Sequence, residues 1–254
     1  MITTKNLTFS FDDTVVIDSL SIDFGESTFA AIIGPNGAGK TTLLKLIAGL
    51  HQPDQGSVEI NGLRLRKKQN TPTLAQDVMW LPSRFDMPFA YTIYDVLQML
   101  LFPWNSLSRF ASKDLAIVSA LEEVGLNCDI NRTFNSLSAG EQHRAMIGAA
   151  IVSDAKLLLL DEPCANLDIG AAHRVLKKLR TLSGNGKKIL LSIHDLQLGY
   201  QYCESFLLLS GTKQVLTGNR DEIFASSLLE HSFGVKPRFI STGQDTIPVF
   251  YDPQ

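Results

Sequence analysis

The residues GPNGAGKTT, positions 34–42, lie between two apolar runs, FAAIIG before them and LLKLIAGL after them. Gly34, Pro35, Asn36, Gly37, Ala38, Gly39, Lys40 and Thr41 satisfy the pattern G-x-x-x-x-G-K-[ST], with Thr42 immediately behind. Glycines let a main chain fold around an anion with its N–H groups, and a helix starting directly afterwards adds the positive end of its dipole. In such a loop the lysine reaches the β- and γ-phosphates of a nucleotide, and the threonine hydroxyl is a ligand for Mg²⁺. The competing reading is a plain glycine-rich strand-to-helix turn. The flanking strand-like and helix-like runs favour the phosphate cradle.

A nucleotide site of this kind needs a carboxylate, and KLLLLDEP (residues 156–163) supplies two at the end of an apolar run. Burying a carboxylate is costly unless a cation or hydrogen-bond donor compensates. Asp161 is therefore placed to hold Mg²⁺, directly or through water, and Glu162 to act as base or to position the attacking water. A further apolar run, ILLSIHDL, ends at His194, a candidate γ-phosphate contact or clamp on that water. The segment NSLSAGEQHR carries Ser138, Ala139, Gly140 and Glu141 ahead of a helical pattern. Ser138 and Glu141 together form a capping box. That pairing does not account for Gly140, which implies a close approach of something to the main chain. A capped helix start with a small residue is also a second surface able to read phosphate.

The elements that must carry these residues follow from hydrophobic spacing. NLTFSF, VVIDSLSIDF, FAAIIG and SVEING have the β-branched and aromatic content of strands. From Thr92 to Ala155, TIYDVLQMLL, KDLAIVSALEEV and AGEQHRAMIGAAIV show helical spacing with no strand between them. Strand signals return in KLLLL, KKILLSI and ESFLLLS, each coupled to a helical stretch. This rhythm predicts an α/β fold with a mainly parallel sheet, interrupted by a helical insertion.

Composition narrows the class further. The chain has 254 residues, 44% hydrophobic and 19% charged, with a formal net charge of −3. Nothing there suggests a phosphate-backbone binder, so no nucleic-acid partner is expected. The basic cluster RLRKK, Arg64 to Lys68, reads as a solvated turn. Three cysteines, odd in number and widely spaced, point to a reducing compartment with neither a disulfide framework nor a zinc cluster. No apolar run approaches the roughly 18 residues of a membrane span and no signal-peptide layout is present, so a cytosolic location is expected, with any membrane role exerted through a partner.

In this order the motifs resemble those of the ATP-binding cassette (ABC) ATPases. GPNGAGKTT resembles the family's Walker A motif, LSAGEQ its LSGGQ signature with Ala139 and Glu141 as departures, and LLLLDEP its Walker B. CANLD resembles the D-loop, with Asp168 as its aspartate, and SIHD the switch histidine. Phe11 falls where the family stacks an aromatic ring on adenine, and Val16 is expected beside that ring. The resemblance implies a P-loop NTPase with a mainly parallel sheet, an N-terminal antiparallel β subdomain and an inserted helical subdomain. The implied parts are a nucleotide-binding core (1–83 and 156–225), a helical subdomain with the signature (84–155) and a short C-terminal extension (226–254). It also implies ATP and Mg²⁺ as ligands. Two copies would pair head to tail, each ATP held by Walker A of one and the signature of the other.

With no membrane span of its own, a cassette of this kind implies separate permease subunits, an extracytoplasmic substrate-binding protein and a place on the cytoplasmic face of the inner membrane. The tail, including LLEHSFGVK, is similar to that of iron-siderophore, haem and cobalamin importers, with zinc or manganese importers as the alternative. Cassettes acting in DNA repair or translation carry two cassettes, a long coiled-coil insertion or a basic face, and none is visible here. One departure affects mechanism: Ser83 in WLPSRFDMPF stands where the family has a glutamine that reaches Mg²⁺ and water. Serine reaches them only through an ordered water, which leaves open an ATP-binding switch with little turnover.

Overall fold

The computed structural model describes residues 2–65, 77–85, 87–104, 112–211, 214–241, 243 and 246–252. Of the basic cluster, Arg66, Lys67 and Lys68 lie outside the described residues. The chain divides into two compact units, residues 1–71 with 190–254 and residues 72–189.

In the first unit, Ile2–Phe11 (β1) and Thr14–Asp23 (β2) form an antiparallel pair extended by Gln55–Ile60 (β4) and Leu63–Arg64 (β5), in the order β2-β1-β4-β5. Alternation puts Leu7, Phe9, Ile17, Leu20 and Ile22 on the buried face, as a half-buried sheet requires. Register shifts interrupt the β1–β2 ladder, and Asn6 and Ser19 take positive φ there. Phe29–Ile33 (β3) is buried at every position and pairs in parallel with Ser205–Leu209 (β9). Burial on both faces explains its unbroken apolar sequence. From β3 the chain passes through residues 34–39 into the helix Lys40–Ile47 (α1). Lys188–Ser192 (β8) is cut by the division between the units, and Leu196–Tyr202 (α6) follows it.

The C-terminal stretch adds Val215–Asn219 (β10), antiparallel to β9, then the helices Arg220–Phe224 (α7) and Ser227–Phe233 (α8). It ends in an antiparallel hairpin, Lys236–Ser241 (β11) with Thr246–Tyr251 (β12). Phe224, fully buried, gathers Tyr200, Phe206 and Phe250 at ring-centroid distances of 5.0, 5.3 and 6.1 Å. Burying one such ring contributes about 1.5–3 kcal/mol, which fastens the hairpin to the unit. The sequence reading assigned no strands to this extension, because Pro237, Pro248 and Gly243 blur the alternation.

The second unit pairs Val78–Leu81 (β6) in parallel with Leu157–Leu160 (β7), Val78 opposite Leu157. Its helices are Ile93–Leu101 (α2), Lys113–Glu123 (α3), Ala139–Val152 (α4) and Ile169–Gly184 (α5). Between residues 92 and 155 the described residues contain no strand, only an isolated bridge between Thr92 and Thr133. Helices α3 and α4 meet closely at Gly148, where an added Cβ would lie 3.0 Å from a Leu121 methyl. The Lys187 ammonium closes the end of α4 by donating to the carbonyls of Ser153 and Ala155.

Candidate functional site

In the first unit the loop 34–39 carries its apex, Asn36 and Gly37, exposed, and turns tightly through an Ala38 N–H bond to the Pro35 carbonyl. The Lys40 ammonium folds back into the loop and donates to the carbonyls of Gly34 at 2.8 Å and Pro35 at 3.0 Å. Lys40 is only 6% exposed, so its charge sits at the centre of the loop rather than in solvent. Thr41 and Thr42 follow in the first turn of α1, both half-buried.

The start of α1 differs from every other described α-helix. Gly39, with φ of 94°, occupies its N-cap and provides no side-chain hydrogen bond, and no acidic residue stands in the first turn. Helices α2 to α8 are each capped by a side chain: Thr92, Ser112, Ser138, Asp168, Asp195, Asn219 and Ser226. A side chain at position 39 is strained by the left-handed φ and would press on Ile17, whose methyl lies 2.9 Å from where a Cβ would be. No side chain fills the positive end of α1, which an anion would complete.

Three expected neighbours of the loop also lie in this unit. Val16 packs over Gly39, its methyl 3.2 Å from a built Cβ, so its observed contact is with the loop. A recess of about 180 Å³ is bounded in part by Thr14, Val16, Gly37, Ala38, Ser210 and Gly211. His194 lies exposed just past β8, where the Ile193 N–H donates to the carbonyl of Ile32. Phe11 is 48% exposed, with the rings of Phe9 and His51 nearly perpendicular to it at 4.9 and 5.6 Å. His51, just past α1, stacks on Phe9 at 5.2 Å. Sequence reasoning passed over His51, because no spacing rule links it to Phe9 and Phe11, more than 39 residues earlier.

In the second unit Asp161, at the end of β7, is 3% exposed, and its N–H donates to the Leu81 carbonyl. Glu162 follows with φ of 50°, a left-handed conformation that costs a non-glycine residue on the order of 1–3 kcal/mol and tends to collect at functional sites. The turn is closed by an Ala165 N–H bond to the Glu162 carbonyl. Asp168 caps α5, accepting from the Ala171 N–H at 2.8 Å, and that bond holds its carboxyl below the usual value.

Ser138 caps α4 in the reciprocal manner of a capping box. The Glu141 N–H donates to the Ser138 hydroxyl oxygen, while the Glu141 carboxylate accepts from both the N–H and the hydroxyl of Ser138 at 2.8 Å. These bonds, the main-chain one first, hold the Glu141 carboxyl below its usual value. Ala139 is exposed beside Ser138. The close approach anticipated at Gly140 has a definite partner: an added Cβ would lie 2.6 Å from the Asn166 carbonyl oxygen. Gly140 is thus the point where the turn 162–168 rests on the helix. Ser83, half-buried after β6, offers its carbonyl to the imidazole Nε2 of the buried His143.

An uncapped helix start behind a lysine-centred glycine loop, at the end of a buried parallel strand, defines a P-loop nucleotide-binding protein of the α/β class. Comparison with known proteins gives the family. The family model described as ABC transporter matches residues 17–165. The achromobactin transport ATP-binding protein CbrD of Dickeya dadantii is 31% identical over 255 aligned residues, covering 99% of this chain and 93% of that protein. The manganese transport system ATP-binding protein MntA of Synechocystis is 34% identical, covering 83% of this chain and 80% of that protein. Among solved structures, a metal-chelate type ABC transporter in an inward-facing conformation matches with a TM-score of 0.79 and 26% identity, covering 100% of this chain and 97% of that one. The chain belongs to the ABC transporter family and is one of its ATP-hydrolysing subunits. No described helix is long and apolar enough to cross a membrane.

Proposed function

We propose that this chain energises the import of a metal chelate, an iron-siderophore, haem or cobalamin, through separate permease subunits fed by an extracytoplasmic binding protein. The observation that carries nucleotide chemistry is the start of α1, the one described α-helix without a side-chain cap, with Lys40 held at the centre of the loop before it. In this reading Lys40 and the main-chain N–H groups of residues 34–42, Pro35 excepted, bind the phosphates, and Phe11 stacks on adenine. His194 contacts the γ-phosphate or the attacking water, and Glu162 is the base or orienting group for that water.

The oxygens of Thr41 and Asp161 suit Mg²⁺, a hard cation that takes one or two protein oxygens together with phosphate oxygens and water. When bound, the cation neutralises phosphate charge that develops during hydrolysis. Ser83 would reach it only through water. Residues 84–155, whose described part holds helices and no strand, are read as the subdomain that presents Ser138–Glu141 to the ATP of a second copy, with Asp168 nearby in that interface. ATP then closes a head-to-tail pair and hydrolysis opens it, on the cytoplasmic face of the inner membrane.

The metal-chelate reading is supported by alignment over nearly the whole length to a protein named for achromobactin transport, including the C-terminal stretch. A zinc or manganese cargo is the second reading, supported by higher identity to the manganese-transport relative over a shorter span. Co-purifying the permease and measuring MgATP hydrolysis in vesicles with candidate cargo separates them. Stimulation by a ferric siderophore, haem or cobalamin supports the first reading; stimulation by Mn²⁺ or Zn²⁺ alone supports the second.

A further inference from the structure

The loop after β6 meets the segment before α4 at successive points. The Ser83 carbonyl receives the Nε2–H of His143, and the ring of Phe85 sets its edge to Phe134 at 5.9 Å. The amide of Asn135 donates to the carbonyls of Met87 at 2.8 Å and Phe89 at 3.4 Å. The Phe134 N–H donates to the Tyr91 carbonyl at 2.9 Å, and the Ile93 N–H to that of Arg132. Two of these donors are side chains, Asn135 and His143, and both act on main-chain carbonyls. Asn135 stands three residues before Ser138, and His143 lies in the second turn of the helix that Ser138 caps.

His143 has a further neighbour. Its Nδ1 is buried and without a partner among the described residues, and the ring borders a cavity of about 10 Å³ that Asp161 also lines. The ring therefore reaches the loop at Ser83 on one side and borders a cavity shared with the end of β7.

We infer that the described residues of loop 83–91 and the segment carrying Ser138–Glu141 move as one body, with Asn135 and His143 as the positioning residues that lock them. The inference rests on the reading of Ser138–Glu141 as a nucleotide-contacting surface. It also gives Ser83 a role that its short side chain does not limit. A carbonyl is presented by any residue at that position, so the loop communicates with the signature helix through its main chain. A push on the loop displaces the start of α4, and the reverse holds.

The test compares His143→Leu, His143→Gln and Asn135→Ala with the wild type. Tryptic cleavage after the exposed Arg84, followed by mass spectrometry, reports loosening of the loop, and steady-state hydrolysis reports positioning. His143→Leu and Asn135→Ala are expected to speed cleavage at Arg84 by roughly three- to tenfold, the size of one lost hydrogen bond in a local opening equilibrium. They are expected to lower kcat by about the same factor with KM for MgATP unchanged, because Lys40 and its loop are untouched. His143→Gln, which keeps an N–H donor, restores both.

Wild-type cleavage and kcat in both His143→Leu and Asn135→Ala overturn the inference. So does a His143→Gln variant as impaired as His143→Leu, which would make the ring a packing element only. Should His143→Leu fail to fold, Asn135→Ala, at an exposed position, decides the matter alone. The cleavage arm needs no turnover, so a wild type that binds but fails to hydrolyse MgATP sinks the hydrolysis reading while the lacing of the loop is still decided.

Discussion

At the scale of single residues, Lys40 carries the most specific expectation. Its ammonium already sits among the loop carbonyls of Gly34 and Pro35, so Lys40→Ala removes the cation proposed to face phosphate without opening a hydrophobic core. Calorimetry should show ATP affinity reduced at least about tenfold, in keeping with the loss of a charge-assisted hydrogen bond; wild-type affinity would contradict the cradle. Lys40 was legible in the sequence because its neighbours are local. The main-chain conformation of Glu162 was not, since a positive φ at a glutamate leaves no compositional trace. The buried His143 was equally silent: its partner carbonyl at Ser83 lies 60 positions away, and a carbonyl has no residue identity.

At the scale of elements, the capping box at Ser138 was readable from the spacing of two residues, and the structure realises it. Its consequence for pH follows from direction. The carboxyls of Glu141, Asp168 and Asp95 are all held below their ordinary values of 4.5, 3.8 and 3.8 by bonds to helix-start donors. Their stabilisation is therefore complete above those ordinary values and fades as pH falls through the lowered ones. Melting temperature should stay flat from pH 7 to about 5 and drop below about 4. In Glu141→Gln the drop should be shallower, and an unchanged acid limb would show that this cap does not contribute.

Ser138→Arg tests the same helix start for function. Losing the cap costs about 1 kcal/mol, a fall of roughly 2–4 °C in melting temperature, whereas turnover should fall more than about tenfold if the surface reads phosphate. A collapse of folding together with activity would leave Ser138 as a cap alone. Gly140 was noticed in the sequence, but its observed contact is with Asn166, which only the folded turn 162–168 brings to the helix.

At the scale of the whole molecule, the βαβ rhythm and the helical stretch between Thr92 and Ala155 were visible because each depends on periodicity within one segment. The hairpin of β11 and β12 was not, because its stability comes from Tyr200, Phe206 and Phe224, remote in sequence from Phe239 and Phe250. In the proposed cycle ATP joins two copies of this chain and hydrolysis through Glu162 releases them. Glu162→Gln keeps the shape of the side chain and removes its basicity, which should slow hydrolysis by roughly 10²–10⁴ and leave ATP in place. The most direct measurement is the mass of that variant by light scattering, at high concentration, with and without MgATP. A monomer without nucleotide that doubles its mass with MgATP is the predicted result; a monomer under both conditions, with ATP shown by calorimetry to be bound, would contradict it.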